Sequence, residues 1–235
     1  MQAPFRARPI GSFLWRASPA FYAHHQHFPR SRASLVCPPT RCCRCFSPSI
    51  FRKVGNEPEG FNGAEGLRPH NWSPRDFARE FSAHASALAA AGMPTVPPRL
   101  QGFVLGGNDS AFNAFWPNFT AEFAPQLASV SRHHYALDGC GSGAPPSVWD
   151  LLATDPSFLR PYAAAAASAR VPFVVGEANS VSCGGLRGVS DVFGAALWAL
   201  DFLLGCAALN ASQVNMHGGP HNAYSVRHRP TCPHP

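Results

Sequence analysis

Residues 171–180 read VPFVVGEANS, an apolar, β-branched run that ends in a polar stretch. Val171–Val175 has the composition of a strand buried on both faces. A longer apolar segment, Asp191–Leu209, follows after a Gly-rich loop and has the length of a helix. A buried strand followed by a loop and a helix is the unit from which parallel sheets are built.

The same alternation extends on both sides of this stretch, over residues 54–216. Further strands are predicted to end at Val54 and to cover Leu100–Leu105, Ala128–Tyr135 and Gln213–Met216. Further helices are predicted over Asp76–Ala91, Ala114–Ala128, Val148–Leu152 and Phe158–Arg170. In Ala114–Ala128, Pro117 and Pro125 are expected to confine the helix to a short piece. The repeated order predicts an α/β fold with a parallel sheet.

The apolar helix over Asp191–Leu209 has nearly the length of a membrane span. Asp201 lies near its middle, and an aspartate there costs about 2.5–3.5 kcal/mol in a bilayer. We therefore expect a helix packed against the sheet, and no membrane span in the chain.

Two glutamates stand at predicted strand ends. Glu57 follows Val54 in GNEP, and Glu177 follows the strand VPFVV. They are 120 residues apart, or three to four βα units at about 30–40 residues each, so they would face each other across a barrel mouth. A retaining glycosidase needs two carboxyl groups about 5–5.5 Å apart. The alternative is that each is a solvated loop residue, like the neighbouring Glu59 and Glu65.

Four motifs carry a family resemblance: GNEP, HHY, GEANSVSCGG and NMHGG, between residues 54 and 226. Together they resemble the heparanase and β-glucuronidase family of glycoside hydrolases, family 79. The resemblance implies a partial (β/α)8 TIM barrel, its C-terminal half, with strands four to eight in residues 54–226. It also implies cleavage of terminal β-glucuronosyl residues by double displacement, in an extracellular, secreted protein.

The same resemblance implies roles for individual residues. Glu57 would be the acid/base and Glu177 the nucleophile, with Asn56 bonded to the sugar 2-hydroxyl. Tyr135 would hold the nucleophile carboxylate, and His134 would line the pocket.

A second group is implied to read the carboxylate of the glucuronosyl residue. Main-chain N–H groups of the turn at Cys183 and Gly184, supported by Gly185, would bind it, because successive N–H groups in a tight turn form an anion nest. Two histidines remain open at this stage. His133 fits an ordinary, partly buried strand residue, as His134 also does, and His217 faces the mouth only if the strand register is right.

The first 53 residues differ from the rest. They carry nine basic side chains and no acidic one, whereas residues 54–235 carry ten basic and thirteen acidic ones. We interpret residues 1–53 as irregular or disordered and foreign to the domain, for example from a wrongly assigned gene start. A transit peptide or a basic arm that binds nucleic acid are alternatives. No signal peptide is readable, and residues 227–235 form a tail.

The cysteines fall into two groups. Four of them cluster as CPPTRCCRC over residues 37–45, without the paired spacing of zinc sites, so we expect neither a metal nor a cofactor. The other four, Cys140, Cys183, Cys206 and Cys232, are free to form disulfides that the sequence does not assign. Sequons at Asn71, Asn108, Asn118 and Asn210 favour a secreted glycoprotein.

Three functions from different classes compete. The first is a hydrolase whose partner is a glucuronide or a glycan that contains glucuronic acid, with no nucleic acid expected. Long sulfated chains fit less well, because residues 54–170 hold only scattered arginines. The second is an inactive, truncated barrel that lacks strands one to three. The third is a nucleic-acid-binding module built on the basic arm. The oligomeric state stays open.

Overall fold

The computed structural model describes residues 52–62, 66–93, 100–141 and 143–225. These residues form an α/β fold in which five parallel strands, in the order β1-β2-β3-β4-β5, curl into a half-barrel. That arrangement confirms the α/β prediction and is consistent with a partial TIM barrel. The predictions for the basic segment up to residue 51, the cysteine cluster and the tail from residue 226 lie outside the described residues.

The elements alternate along the chain as the sequence predicts. The strands are β1 (Arg52–Lys53), β2 (Leu100–Leu105), β3 (Leu127–Leu137), β4 (Phe173–Val181) and β5 (Gln213–Met216). The helices are α1 (Pro74–Ala90), α2 (Ser110–Phe123), α3 (Val148–Leu152), α4 (Arg160–Ser168) and α5 (Phe193–Ala208). Short 3-10 turns occupy Pro58–Gly60, Ala124–Gln126 and Pro156–Leu159.

The prediction for α2 was wrong in its extent. The helix runs for 14 residues and passes through Pro117 without ending there. Asp109 caps its start by accepting a hydrogen bond from the Phe112 N–H at 2.9 Å. A proline inside a helix costs about 3 kcal/mol. The aromatic side chains that α2 buries, Phe112, Phe115, Trp116, Phe119 and Phe123, offset this cost, because each is worth about 1.5–3 kcal/mol when fully buried.

The core lies between the sheet and the helices on its outer face. Phe103 of β2 is fully buried and stacks on Phe119 of α2, with ring centroids 4.5 Å apart. Trp198 and Phe202 bury one side of α5 in the same cluster. Because the apolar side chains concentrate on the helix-facing side of the sheet, polar side chains of β3 and β4 are left on the concave side.

Within the described part of the chain, no helix combines the length and the apolar character needed to cross a bilayer. Its residues also include no group of three or more His, Cys, Asp or Glu side chains placed to hold a metal ion.

Candidate active site

Glu57 lies in the loop after β1, in the left-handed backbone region with φ 49° and ψ 54°. Its N–H donates to the Val104 carbonyl at 2.8 Å, which fixes the loop to the end of β2. A residue with a Cβ adopts this conformation at a cost of about 1–2 kcal/mol. Gly106 makes room for the side chain, because a Cβ at that position would overlap the Glu57 carboxylate. The loop therefore places this carboxylate at the mouth of the half-barrel.

His133 is the partner of the Glu57 carboxylate. The buried imidazole Nδ1 lies 2.6 Å from Glu57 Oε1. This hydrogen bond lowers the pKa of Glu57, as do the charges of His133, Lys53 and Arg132, while partial burial opposes the shift. The other ring nitrogen, Nε2, is buried and has no hydrogen-bond partner among the described residues. The carboxylate of Glu57 is thus held toward its ionised form.

Glu177 lies within β4, because the strand continues beyond Val175 to Val181. The Tyr135 hydroxyl of β3 donates a hydrogen bond to Glu177 Oε1. Burial, followed by the contact with Glu177, raises the pKa of Tyr135, so the phenol stays protonated and remains a donor. His217 extends this cluster, with its Nδ1 2.8 Å from the Tyr135 hydroxyl and 3.6 Å from Glu177 Oε1.

A bulge in the β3–β4 pairing sets the positions of these groups. The register steps from Arg132 paired with Val175 to His133 paired with Glu177, so that Gly176 is the extra residue. A side chain at Gly176 would overlap the Ser131 hydroxyl. The bulge therefore places Glu177 directly opposite His133, the residue that contacts Glu57.

Lys53 connects the two carboxylates electrostatically. The residue is exposed as a whole, but neighbouring atoms surround its ammonium enough for burial to lower its pKa. The negative charges of Glu177 and Glu57 both oppose this shift, so both carboxylates act on the same ammonium. Lys53 Nζ also donates a hydrogen bond to Asn56 Oδ1. Lys53 thus bonds directly to Asn56 and interacts with Glu57 and Glu177 through their charges alone, without an ion pair to either.

Glu59 bonds to backbone amides and not, as Glu57 does, to a side chain. Its Oε1 accepts hydrogen bonds from the backbone N–H groups of Gly106, at 2.6 Å, and Gly107. These bonds brace the loop after β2, which is the loop that accommodates the Glu57 side chain. Glu65 lies outside the described residues.

The structure does not bring His134 to the pocket. Its side chain lies on the helix-facing side of the sheet, with the rings of Phe158 and Phe202 at centroid distances of 5.8 Å and 5.5 Å. Because successive side chains of a strand point to opposite faces, His133 occupies the concave side instead. Burial, helped by the charge of Arg132, lowers the pKa of His134 to about 4.

The turn after β4 carries the three residues expected to bind a carboxylate. Cys183, Gly184 and Gly185 all have positive φ, at 56°, 93° and 85°. The Cys183 N–H makes no hydrogen bond with the described residues, whereas the Gly184 N–H lies next to the Tyr224 hydroxyl as a hydrogen-bond donor. A Cβ at Gly185 would lie 2.7 Å from the Tyr224 ring, so glycine is required there.

A disulfide between Cys140 and Cys183 joins this turn to the loop after β3. On its other side, the Gly184 carbonyl accepts a hydrogen bond from the Ala223 N–H at 2.6 Å. The segment after β5 also supplies Tyr224, whose hydroxyl lies 2.9 Å from His217 Nδ1. The turn is therefore connected to the Tyr135, His217 and Glu177 cluster.

The sequence leaves two members of this candidate site open and gives no indication of a third. His133 stays open between an ordinary strand residue and a pocket role, although its alternation with Tyr135 in HHY favours placing both on one face. His217 depended on an unknown register, which the His217 N–H to Ala178 carbonyl bond of 2.8 Å now fixes. Lys53 carried no signal beyond its closeness to Glu57 in the sequence.

Comparison with known proteins gives the chain relatives but no matching family model. A β-glucuronidase of Aspergillus niger is 26% identical over 193 residues, which cover 74% of this chain and 35% of that enzyme. A β-glucuronidase of Neurospora crassa is 41% identical over 58 residues, 25% of this chain and 10% of that enzyme.

Among solved structures, a 4-O-α-L-rhamnosyl-β-D-glucuronidase from Fusarium oxysporum superposes with a TM-score of 0.59 at 22% identity. The match covers 74% of this chain and 38% of that structure. The chain thus spans well under half the length of the proteins that it matches, and it shares the fold of the corresponding part of this glucuronidase.

Proposed function

We propose that this chain carries the catalytic residues of a retaining glycoside hydrolase that cleaves terminal β-glucuronosyl residues. The observation that supports the proposal most directly is that His133 bonds to Glu57 and is paired across β3 and β4 with Glu177, which relates the two carboxylates to one strand residue. Glu57 is bonded to His133, Glu177 is bonded to Tyr135, and both carboxylates act on the same ammonium. Two carboxyl groups facing one space are what double displacement at an anomeric carbon requires.

Glu177 is the nucleophile in this proposal. Its carboxylate attacks the anomeric carbon and forms a glycosyl ester, while the bond to the leaving oxygen breaks. The Tyr135 hydroxyl fixes the orientation of the carboxylate before the attack. Glu57 gives its proton to the leaving oxygen, and in the second step takes a proton from the water that hydrolyses the ester.

The contact between His133 and Glu57 affects the step in which Glu57 protonates the leaving oxygen. A general acid must be protonated, whereas the contact with His133 lowers the pKa of Glu57. Glu57 therefore acts as the acid only where the pH is low enough to protonate it against this contact. This contact favours catalysis at acidic pH, because the general acid loses its proton at a lower pH than an unpaired glutamate does.

The turn after β4 accounts for the choice of a glucuronide. Among the described residues, the Cys183 amide makes no hydrogen bond and the Gly184 amide lies next to the Tyr224 hydroxyl, and both belong to a Gly-rich turn of the kind that binds anions. Asn56 accepts a hydrogen bond from Lys53, in the same loop as Glu57. We assign it the role of binding the sugar 2-hydroxyl. A small glucuronide, or a glycan side chain that ends in glucuronic acid, fits this site.

The proposal also places β1–β5 as strands four to eight of a (β/α)8 barrel of glycoside hydrolase family 79. In support, the fungal relatives are named β-glucuronidases, and the match covers 35% of the Aspergillus niger enzyme, as a partial barrel would. We further propose a secreted glycoprotein, because the sequon residues Asn71, Asn108, Asn118 and Asn210 are all exposed.

A catalytically inactive barrel remnant is the second candidate. Within the described residues, β1 pairs only with β2, and β5 pairs only with β4, so the sheet has two edges. Closed barrels have no edges, and unpaired strands associate readily with other chains. A protein of this kind would retain the pair of carboxylates without hydrolysing a glycoside.

The direct test is hydrolysis of a chromogenic β-glucuronide. The chain should release the chromophore, and Glu177→Ala should reduce kcat/KM by roughly 10⁴-fold, because the nucleophile is lost. Glu122→Ala is the matched control, since Glu122 is exposed on α2 away from the site, and it should leave the rate unchanged. Equal rates for the chain and Glu177→Ala, or no hydrolysis by either, would refute the enzyme proposal for this chain.

A further inference from the structure

The Cys140–Cys183 disulfide lies beyond the last paired residues of two neighbouring strands. The β3–β4 ladder ends with Leu137 paired to Val181, and the disulfide joins the segments that follow. Both cysteines are exposed, so a reductant in solution can reach the bond. The strands themselves are paired by backbone hydrogen bonds from Val130 to Leu137, so the disulfide is not needed to align them.

The disulfide acts on the turn whose Cys183 and Gly184 amides are proposed to bind the sugar carboxylate. Cys183 adopts a left-handed conformation that residues with a Cβ disfavour, and the two glycines after it continue the positive φ angles. The turn itself contains one weak backbone hydrogen bond, from the Gly185 N–H to the Ser182 carbonyl at 3.3 Å. Its shape thus depends on attachments from outside, of which the bond to Cys140 is covalent.

Polar contacts surround the Cys140 end of this attachment. The Ser182 hydroxyl accepts a hydrogen bond from the Gly139 N–H at 2.8 Å and donates one to Asp138 Oδ1 at 2.9 Å. The Cys140 N–H also bonds to Asp138 Oδ1, at 2.9 Å. All of these contacts are exposed, and water competes with them when the covalent link is absent.

The opposite side of the turn leads to the catalytic carboxylate. A Cβ at Gly184 would lie 3.3 Å from Asn222 Oδ1, and Asn222 Nδ2 donates to the Tyr224 hydroxyl at 3.3 Å. Tyr224 contacts His217, which lies 3.6 Å from Glu177. None of these contacts involves Cys140, so this side of the turn and the groups around Glu177 keep their contacts when the disulfide is broken.

We propose that the Cys140–Cys183 disulfide is a redox-sensitive clamp that holds the turn in its carboxylate-binding shape. The proposal rests on the proposed function for the chemical class of the ligand. A dithiol reductant breaks the S–S bond, supplies two electrons and two protons to give two thiols, and becomes a disulfide itself. The freed Cys183 leaves its left-handed conformation, and the amides no longer converge on one anion.

If the disulfide acts as such a clamp, breaking it should raise KM and leave kcat nearly unchanged. Loss of preorganisation weakens the binding of the sugar carboxylate, so KM for a β-glucuronide should rise about tenfold. The two carboxylates and their donors stay in place, so kcat should change by less than about twofold. A β-glucoside, which has a neutral hydroxymethyl group in place of the carboxylate, should show no such rise in KM.

The test compares the oxidised chain, the chain reduced with dithiothreitol, and Cys140→Ser, which removes the bond but leaves Cys183 in its turn. The glucuronide-to-glucoside ratio of kcat/KM should fall about tenfold in the last two, and reoxidation should restore it in the reduced chain. Cys206→Ala is the matched control, because Cys206 is a buried free cysteine on α5, and this variant should keep its response to reduction. An unchanged ratio in both the reduced chain and Cys140→Ser would overturn the proposal and leave the hydrolase function standing.

Calorimetric binding of D-glucuronate separates the clamp from the catalytic proposal. If no form hydrolyses glucuronides but the oxidised chain binds D-glucuronate more tightly than the reduced chain and Cys140→Ser, the clamp stands and the hydrolase function fails. Equal affinity in all three forms, or no binding by the oxidised chain, overturns the clamp.

Discussion

The two faces of β3 place neighbouring residues of similar chemistry in opposite surroundings. On the helix-facing side, Arg132 lies 5.1 Å from the ring centroids of Phe158 and Tyr162, and His134 lies between aromatic rings. On the concave side, His133 and Tyr135 contact the two carboxylates. A period of two residues therefore separates groups that stabilise the fold from groups proposed to serve catalysis.

The largest expected effect lies on the helix-facing side and concerns stability. Burial lowers the pKa of His134 from 6.5 to about 4, so the unfolded chain binds a proton between these pH values while the folded chain does not. The free energy of unfolding should be constant above pH 6.5 from this source, and should fall by about 3 kcal/mol as the pH drops to 4. Urea unfolding at pH 7 and pH 4.5 measures the change.

His134→Phe is the control for this effect, because phenylalanine keeps an aromatic ring between Phe158 and Phe202 and does not titrate. The variant should lose less stability than the parent chain over the same pH interval. If both chains lose the same free energy of unfolding, His134 is not the source of the pH dependence. The proposed difference between the two faces of β3 would then be wrong for the helix-facing side.

The sequence predicted the bounds of two short strands that are each followed closely by a pair of glycines. Both Leu100–Leu105 and Gln213–Met216 have the predicted bounds. The length of α2 could not be predicted, because the stabilising contacts of its aromatic side chains come from distant parts of the chain. Helix propensity alone includes the destabilising effect of Pro117 but not the tertiary packing that offsets it.

For the candidate site, the sequence singled out both glutamates, but it could not decide which histidine lies beside them. That choice depends on the bulge at Gly176 and on the strand register, which are properties of the paired strands. The Cys140–Cys183 disulfide was equally out of reach, since four scattered cysteines allow three pairings. Pairing depends on tertiary proximity, here a Cα–Cα distance of 5.4 Å.

A smaller effect is expected on the concave side, from Tyr135→Phe. The change removes the hydrogen bond to Glu177 while keeping the ring, and a hydrogen bond to a charged group is worth about 1.5–3 kcal/mol. The kcat/KM for a β-glucuronide should therefore fall roughly 10- to 100-fold. Steady-state kinetics and urea unfolding, measured on the same preparation, separate activity from stability.

Tyr162→Phe provides the comparison for Tyr135→Phe, because Tyr162 is a buried tyrosine on the helix-facing side, next to Arg132. It should leave kcat/KM unchanged, whatever it does to the free energy of unfolding. Equal losses of activity in the two variants would show that the faces of β3 do not divide the roles as proposed.

The smallest effect is a displacement of the pH profile by changes at His133. The hydrogen bond and the charge of His133 lower the pKa of Glu57, so their removal should raise it. Because Glu57 must be protonated to act as the acid, the basic limb of the kcat/KM profile should move to higher pH in His133→Leu. His133→Gln keeps a hydrogen-bond donor without a titrating ring, so its shift should be smaller. A basic limb that stays in place in both variants, or that moves to lower pH, would show that His133 does not control the proton on Glu57. The 2.6 Å contact between His133 and Glu57 would then be structural. Of the two β3 side chains on the concave face, only Tyr135 would then affect catalysis.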